Sequence, residues 1–126
     1  MKRVLLIEDN RANRKLIGGV LRRAGHEVVD AESADVGVPL ALSEPFDLVV
    51  MDVQLPGTDG LAATRLLRAD PRGRVLPILA VTAHAMRGDE QRILQAGCDA
   101  YLAKPVSYKE LLRISEELMK GSWGTP

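Results

Sequence analysis

Cysteine is nearly absent from this chain: with Cys98 alone among 126 residues, no internal disulfide can form, and a reducing cytoplasm is the fitting compartment. Neither charge is in excess, since 17 Lys and Arg face 17 Asp and Glu. That balance removes the bulk electrostatic case for binding nucleic acid or an anionic membrane surface. No apolar run approaches the ~20 residues that span a bilayer. The acids of MKRVLLIEDN come too early for a secretory signal. Repeats, linkers and low-complexity segments are lacking too. What remains is one domain, long enough to bury a core and too short for two. Residues 1–120 are assigned to it, and the tail GSWGTP, 121–126, is expected to fray.

Short apolar runs alternate with segments of helical period. RVLLIE (3–8), HEVVDA (26–31), DLVVMD (47–52), PILAVTA (77–83) and AYLAK (100–104) read as strands. Between the first two, Ile17, Val20, Leu21 and Ala24 share a helical stripe that Gly25 ends. Gly18 and Gly19 interrupt that helix, with Gly18 expected on the side away from the stripe, where small residues would let a partner helix approach. A second helix over 33–43 contains Gly37 and Pro39, and the proline is expected to kink or delay it. Thr58 or Asp59 caps a third, which stops before Pro71. A fourth begins at Met86 or Arg87 and ends at Ala96, before Gly97. The fifth opens on Ser107 and Glu110 as a capping box, with Leu111, Ile114, Ser115 and Leu118 along one side.

Five apolar strands alternating with five helices describe an α/β fold, a flavodoxin-like (βα)5 three-layer sandwich. Its parallel sheet is expected in the order 2-1-3-4-5, with ligands at the carboxyl ends of strands 1 and 3. Polar residues end the runs there: Glu8 and Asp9 on strand 1, Asp52 on strand 3, Thr82 on strand 4 and Lys104 on strand 5. Like charges ~4 Å apart repel by about 4 kcal/mol at an effective dielectric near 20. Three carboxylates together therefore require a proton or a cation. The ligands on offer are all oxygens, which favours a hard ion such as Mg²⁺ over Zn²⁺. A carboxylate nucleophile, a metal, a lysine and a hydroxyl donor make up the set that an aspartyl phosphoryl acceptor needs.

IEDN, MDVQLPGTDG, AVTA and AYLAKP, in this order and spacing, resemble the receiver domain of two-component response regulators over residues 2–120. Single-domain cell-cycle regulators and receivers of hybrid sensor kinases are the most similar branches. The resemblance implies that Asp52 takes a phosphoryl group from a histidine kinase or a histidine phosphotransfer protein. It implies Mg²⁺ bound by Asp9, Asp52, the Gln54 backbone carbonyl and Glu8, the last mostly through water. Lys104 would pair with the phosphoryl group, Thr82 would swing to bond it, and Tyr101 would turn inward as Thr82 moves. Gln54 and His84 would tune the phosphoryl lifetime, and a cis Lys104–Pro105 bond is common in the family. With no output module expected beyond Pro126, the signal is expected to leave by contact with a downstream effector protein. A phosphorylation-dependent dimer is left open.

Three rival readings are weighed against this one. An aspartyl-phosphate phosphohydrolase of the haloacid dehalogenase type places a second aspartate two residues after its nucleophile, where this chain has Gln54. A flavin carrier lacks support because IEDNRANRK stands where a glycine-rich phosphate loop would follow strand 1. A receiver excised from a hybrid kinase shares every motif, and genomic context separates it.

Overall fold

The computed structural model describes residues 2–83 and 89–121. Strands and helices alternate along the chain. In order they are β1 (Arg3–Ile7), α1 (Arg11–Arg23), β2 (Glu27–Ala31), α2 (Ala34–Ser43) and β3 (Leu48–Asp52), then α3 (Gly60–Ala69), β4 (Ile78–Thr82), α4 (Asp89–Ala96), β5 (Ala100–Ala103) and α5 (Tyr108–Lys120). All pairings are parallel, and the sheet runs β2-β1-β3-β4-β5 as expected. Every residue of β3 and β4 is buried, which explains their unbroken apolar runs.

Alternate side chains along the strands divide the core in two. Leu5, Ile7, Val49, Met51, Ile78 and Ala80 join α2, α3 and α4 through Ala41, Leu67 and Ile93. Val4, Leu6, Leu48, Val50, Leu79 and Val81 pack with α1 and α5 through Ile17, Leu21, Leu111 and Ile114. Each fully buried Leu or Ile contributes roughly 1.5–3 kcal/mol of transfer free energy. Because α1 and α2 lie with opposite clusters, the β1–β3 boundary is where the chain changes faces. The crevice of the topological switch point opens above it.

The termini of the helices follow local chemistry. Asn10, Ser33, Asp59 and Ser107 each accept a backbone N–H from the residue three further on, so Asp59 and not Thr58 caps α3. Gly25 and Gly97 take the positive φ values, 97° and 113°, that suit a glycine after a helix. The capping box at α5 is only half formed. Ser107 Oγ accepts from Glu110 N at 3.3 Å, while the Glu110 carboxylate is drawn to Arg113 at 2.7 Å.

Three details of the helices depart from expectation. Pro39 does not delay α2, which runs unbroken from Ala34 to Ser43. One backbone bond is forgone, and burial of Ala34, Gly37 and Ala41 holds the helix in place. Gly18 is buried, not turned away from the apolar stripe. A Cβ there would lie 3.2 Å from Arg22 Nη1 and 3.8 Å from both Leu6 Cδ2 and Asp30 Oδ1. Ala24, placed on the stripe by its spacing, is exposed.

Gly60 brings the start of α3 against the end of β3. A Cβ there would press on the Asp52 carbonyl oxygen and sit 2.8 Å from Val53 Cα. Backbone cannot rotate aside, so Gly60→Ala is predicted to lose about 3 kcal/mol in urea unfolding. Gly19 meets nothing within 4 Å, so Gly19→Ala is predicted to gain about 1 kcal/mol. Equal midpoints for the two variants would show that α3 is not wedged against β3.

Candidate functional site

At the carboxyl edge the strands deliver their acids side by side. Glu8 follows β1 directly, its backbone N–H bonded to Ala31 O at 3.0 Å, and it is 1 % exposed. Asp52, the last residue of β3, is 3 % exposed, while Asp9 is open to solvent. One carboxylate oxygen from each of Glu8, Asp9 and Asp52 lies within 4.8 Å of the others. Lys104, just past β5, reaches between the two buried acids. Its Nζ is 3.3 Å from Glu8 Oε1 and 3.2 Å from Asp52 Oδ2. The Lys104–Pro105 peptide bond is cis.

Charge at this edge is incompletely balanced. Burial first, then the neighbouring Asp52, pushes the Glu8 carboxyl above the ordinary glutamate value of 4.5. The Asn10 N–H, 3.1 Å from Glu8 Oε2, opposes this. Burial pulls Lys104 down, but attraction to Asp52 and to Glu8 outweighs it, and the ammonium ends above its ordinary value. Lys104 nonetheless meets Glu8 off the hydrogen-bonding direction, so Glu8 Oε1 is buried with no hydrogen bond among the described residues.

Thr82 ends β4, buried beside this group. Its Oγ1 accepts a hydrogen bond from Gln54 Nε2 at 2.8 Å, and Gln54 Oε1 accepts from Ala83 N at 3.0 Å. The backbone N–H of Gln54 donates to Asp52 Oδ1 at 3.0 Å. Tyr101 is half-buried against the α2–α4 side of the core, and the Glu90 carboxylate, mainly by hydrogen bonding, pushes its phenol up. His84 lies outside the described residues, as do Met86, Arg87 and residues 122–126.

Two contributions were not foreseen from the sequence. Arg14 Nη1 donates to the carbonyls of Glu8 and Asp9, at 2.9 and 3.0 Å, and so braces the loop that presents both acids. Its position one turn into the helix after Asn10 was the available signal. The other is the Gln54 side chain. Nothing in the spacing of MDVQLP indicates that it reaches across to β4.

The donor set fits a small hard cation. All three side chains supply oxygen, and the buried Glu8 Oε1 lacks a hydrogen-bonding partner among the described residues. Magnesium characteristically sits on one or two carboxylates and keeps further positions for water or phosphate.

A doubly wound domain whose switch point gathers acids around a lysine belongs to the class of α/β proteins that handle a cation and an anionic group at strand ends. Comparison makes the class specific: the chain belongs to the response regulator receiver domain family, whose model matches residues 4–116. It is 43 % identical over 106 residues to the polar-differentiation response regulator DivK of Brucella ovis, covering 84 % of this chain and 86 % of that protein. It is 40 % identical to the receiver domain of sensor histidine kinase PA1611 from Pseudomonas aeruginosa PAO1, with a TM-score of 0.88 over 94 % of this chain and 98 % of the other. That neighbour holds a magnesium ion in its active site cleft. A putative response regulator from Chloroflexus aurantiacus superposes with a TM-score of 0.90 at 30 % identity, covering 94 % and 98 % of the two chains. This protein is therefore a receiver of two-component signalling.

The raised Glu8 pKa has a testable sign. A carboxyl that binds its proton more tightly folded than unfolded makes stability fall as pH rises from 4.5 through the folded value. In chelator, Glu8→Gln is predicted to gain on wild type in urea unfolding between pH 4.5 and pH 7. A constant gap across that range would mean that Glu8 ionises in the fold as freely as in the unfolded chain.

Proposed function

We propose that Asp52 is the phosphoryl acceptor and that this domain takes its phosphoryl group from a phosphohistidine donor. The observation that supports this most directly is the placement of Asp52 Oδ2. It lies 3.2 Å from the Lys104 ammonium, with Glu8 and Asp9 close by, while Oδ1 is occupied by the Gln54 N–H. Oδ2 is thus the oxygen left to attack. Its lone pair forms the new P–O bond as the P–N bond of the donor breaks, and the imidazole nitrogen leaves with that pair and takes a proton. Lys104 balances charge on the transferring oxygens, and Thr82 offers its hydroxyl to the phosphoryl group once transferred.

Glu8, Asp9, Asp52 and the Gln54 carbonyl would hold Mg²⁺, which when bound supplies positive charge against the incoming phosphoryl oxygens. Arg14 and Asn10 keep the acidic loop in place for it. Phosphoryl transfer in and hydrolysis out are the only chemistry assigned, with Gln54 and His84 setting the lifetime. Tyr101 is assigned the following movement, which would reshape the face of α4, β5 and α5.

The donor is assigned to a histidine kinase or histidine phosphotransfer protein, and the reader to an effector protein in the cytoplasm. None of the described helices is long and apolar enough to cross a membrane. The similarity to a sensor-kinase receiver favours a second reading, a module of a larger hybrid kinase. The chemistry is the same in both.

Incubation with Mg²⁺ and a small phosphodonor, followed by intact-mass analysis, is expected to show one added phosphoryl group on wild type and none on Asp52→Asn. Lys104→Met is expected to form the adduct about 100-fold more slowly. Equal adduct on Asp52→Asn would move the acceptor elsewhere. Separately, Mg²⁺ at ten times its Kd should stabilise wild type by about 1.4 kcal/mol and Asp9→Asn far less. Identical thermal shifts for the two would remove Asp9 from the metal site.

A further inference from the structure

Gln54 touches both ends of the proposed switch. Its backbone N–H reads Asp52 Oδ1, and its side chain holds the two consecutive residues that leave β4. The amide is used at both ends, Nε2 donating to Thr82 Oγ1 and Oε1 accepting from Ala83 N. A planar carboxamide fixes the separation and relative direction of its two ends. Two bonds from one such group therefore set the Thr82–Ala83 peptide in a single arrangement.

These are also groups that a phosphoryl oxygen on Asp52 would recruit. With Oε1 on the Ala83 N–H, that backbone donor is already engaged. With Nε2 donating to Oγ1, Gln54 anchors the Thr82 oxygen, and so the side-chain position, without using its proton. We propose that Gln54 is a resting-state clamp. It competes with the phosphoryl group for the Ala83 N–H and for the position of the Thr82 side chain, and its release is the step that couples the chemistry at Asp52 to movement of the β4 end. The proposal rests on Asp52 as acceptor.

The energetic order suits a clamp that holds and then yields. The two clamp bonds are neutral on both sides, whereas bonds to a phosphoryl oxygen are charge-assisted and roughly twice as strong. Phosphorylation also turns Asp52 from an anionic to a neutral acceptor, which weakens the Gln54 N–H···Oδ1 bond that seats the residue. The displaced side chain has somewhere to go. A cavity of ≈ 330 Å³, bordered by Gln54, Thr82, Leu61 and Ile93, opens between the β3–α3 loop and α4. Gln54 acts here as a positioning residue through Thr82 and Ala83.

The test uses Gln54→Met, which keeps length and loses both bonds, and Gln54→Glu, which keeps an acceptor for Ala83 and cannot donate to Thr82 once ionised. In metal-free, unphosphorylated protein, amide hydrogen exchange at Ala83 should quicken about tenfold in Gln54→Met, the factor for losing roughly one net hydrogen bond. It should stay near wild type in Gln54→Glu, with the inner amides of β4 unchanged in both as a control on folding. With Mg²⁺ present, beryllofluoride as a phosphoryl mimic should bind Gln54→Met about tenfold more tightly than wild type. Unchanged Ala83 exchange in Gln54→Met, or beryllofluoride binding no tighter than in wild type, overturns the clamp while leaving Asp52 as acceptor intact. A wild type that binds no beryllofluoride, and shows no adduct in the mass assay, overturns the acceptor assignment itself.

Discussion

Two buried carboxylates that would separate in water are kept together at the end of this sheet by one lysine. Glu8 and Asp52 sit at the ends of adjacent parallel strands, each only a few per cent exposed, and Lys104 bridges them from the far side of β4. Removing that cation would leave two like charges in a low-dielectric site, a far costlier state than an exposed pair. The bridge also leaves something over, because among the described residues Glu8 Oε1 has no hydrogen-bond partner, and the Glu8 carboxyl is pushed up. A site with residual negative charge, oxygen donors and an open acidic neighbour in Asp9 is suited to a divalent ion. The same imbalance that raises the Glu8 carboxyl thus favours a cation at this edge.

Around this core of charge the supporting contacts are mostly backbone. Arg14 holds the carbonyls of Glu8 and Asp9, Asn10 gives its N–H to Glu8, and Gln54 gives its own to Asp52. Backbone partners suit a site that must keep its shape while charges come and go, since they do not titrate. Gly60 serves the same end by a different means. By letting α3 start hard against the Asp52 carbonyl, it fixes the end of β3 from behind.

The parts proposed to move are held differently. Thr82 is held by a side chain from a loop, and Tyr101 is half-buried, its phenol pushed up by the Glu90 carboxylate of α4. Both interactions run between elements, which would let a shift at the β4 end pass to α4 and β5 while β1 and β3 stay in place.

The alternation of strand and helix, the sheet order and the edge that collects Glu8, Asp9, Asp52, Thr82 and Lys104 were determined by the sequence alone. A strand buried on both faces must be apolar along its length. Any polar residue that ends the run in a parallel sheet therefore falls on the same rim. Caps were partly legible, since each acts within three residues of itself: Ser107 was placed outright and Asp59 as one of two candidates. The remainder was decided only by tertiary structure. Gly18 turned inward and Pro39 stayed within a helix because neighbouring elements, absent from any local pattern, set the buried side and supplied the packing. The reach of Gln54 to Thr82 and Ala83, and of Lys104 to both acids, depends on how loops from different strands approach one another. Residues 28 and 50 or more apart in the chain meet there, and periodicity carries no information at that range.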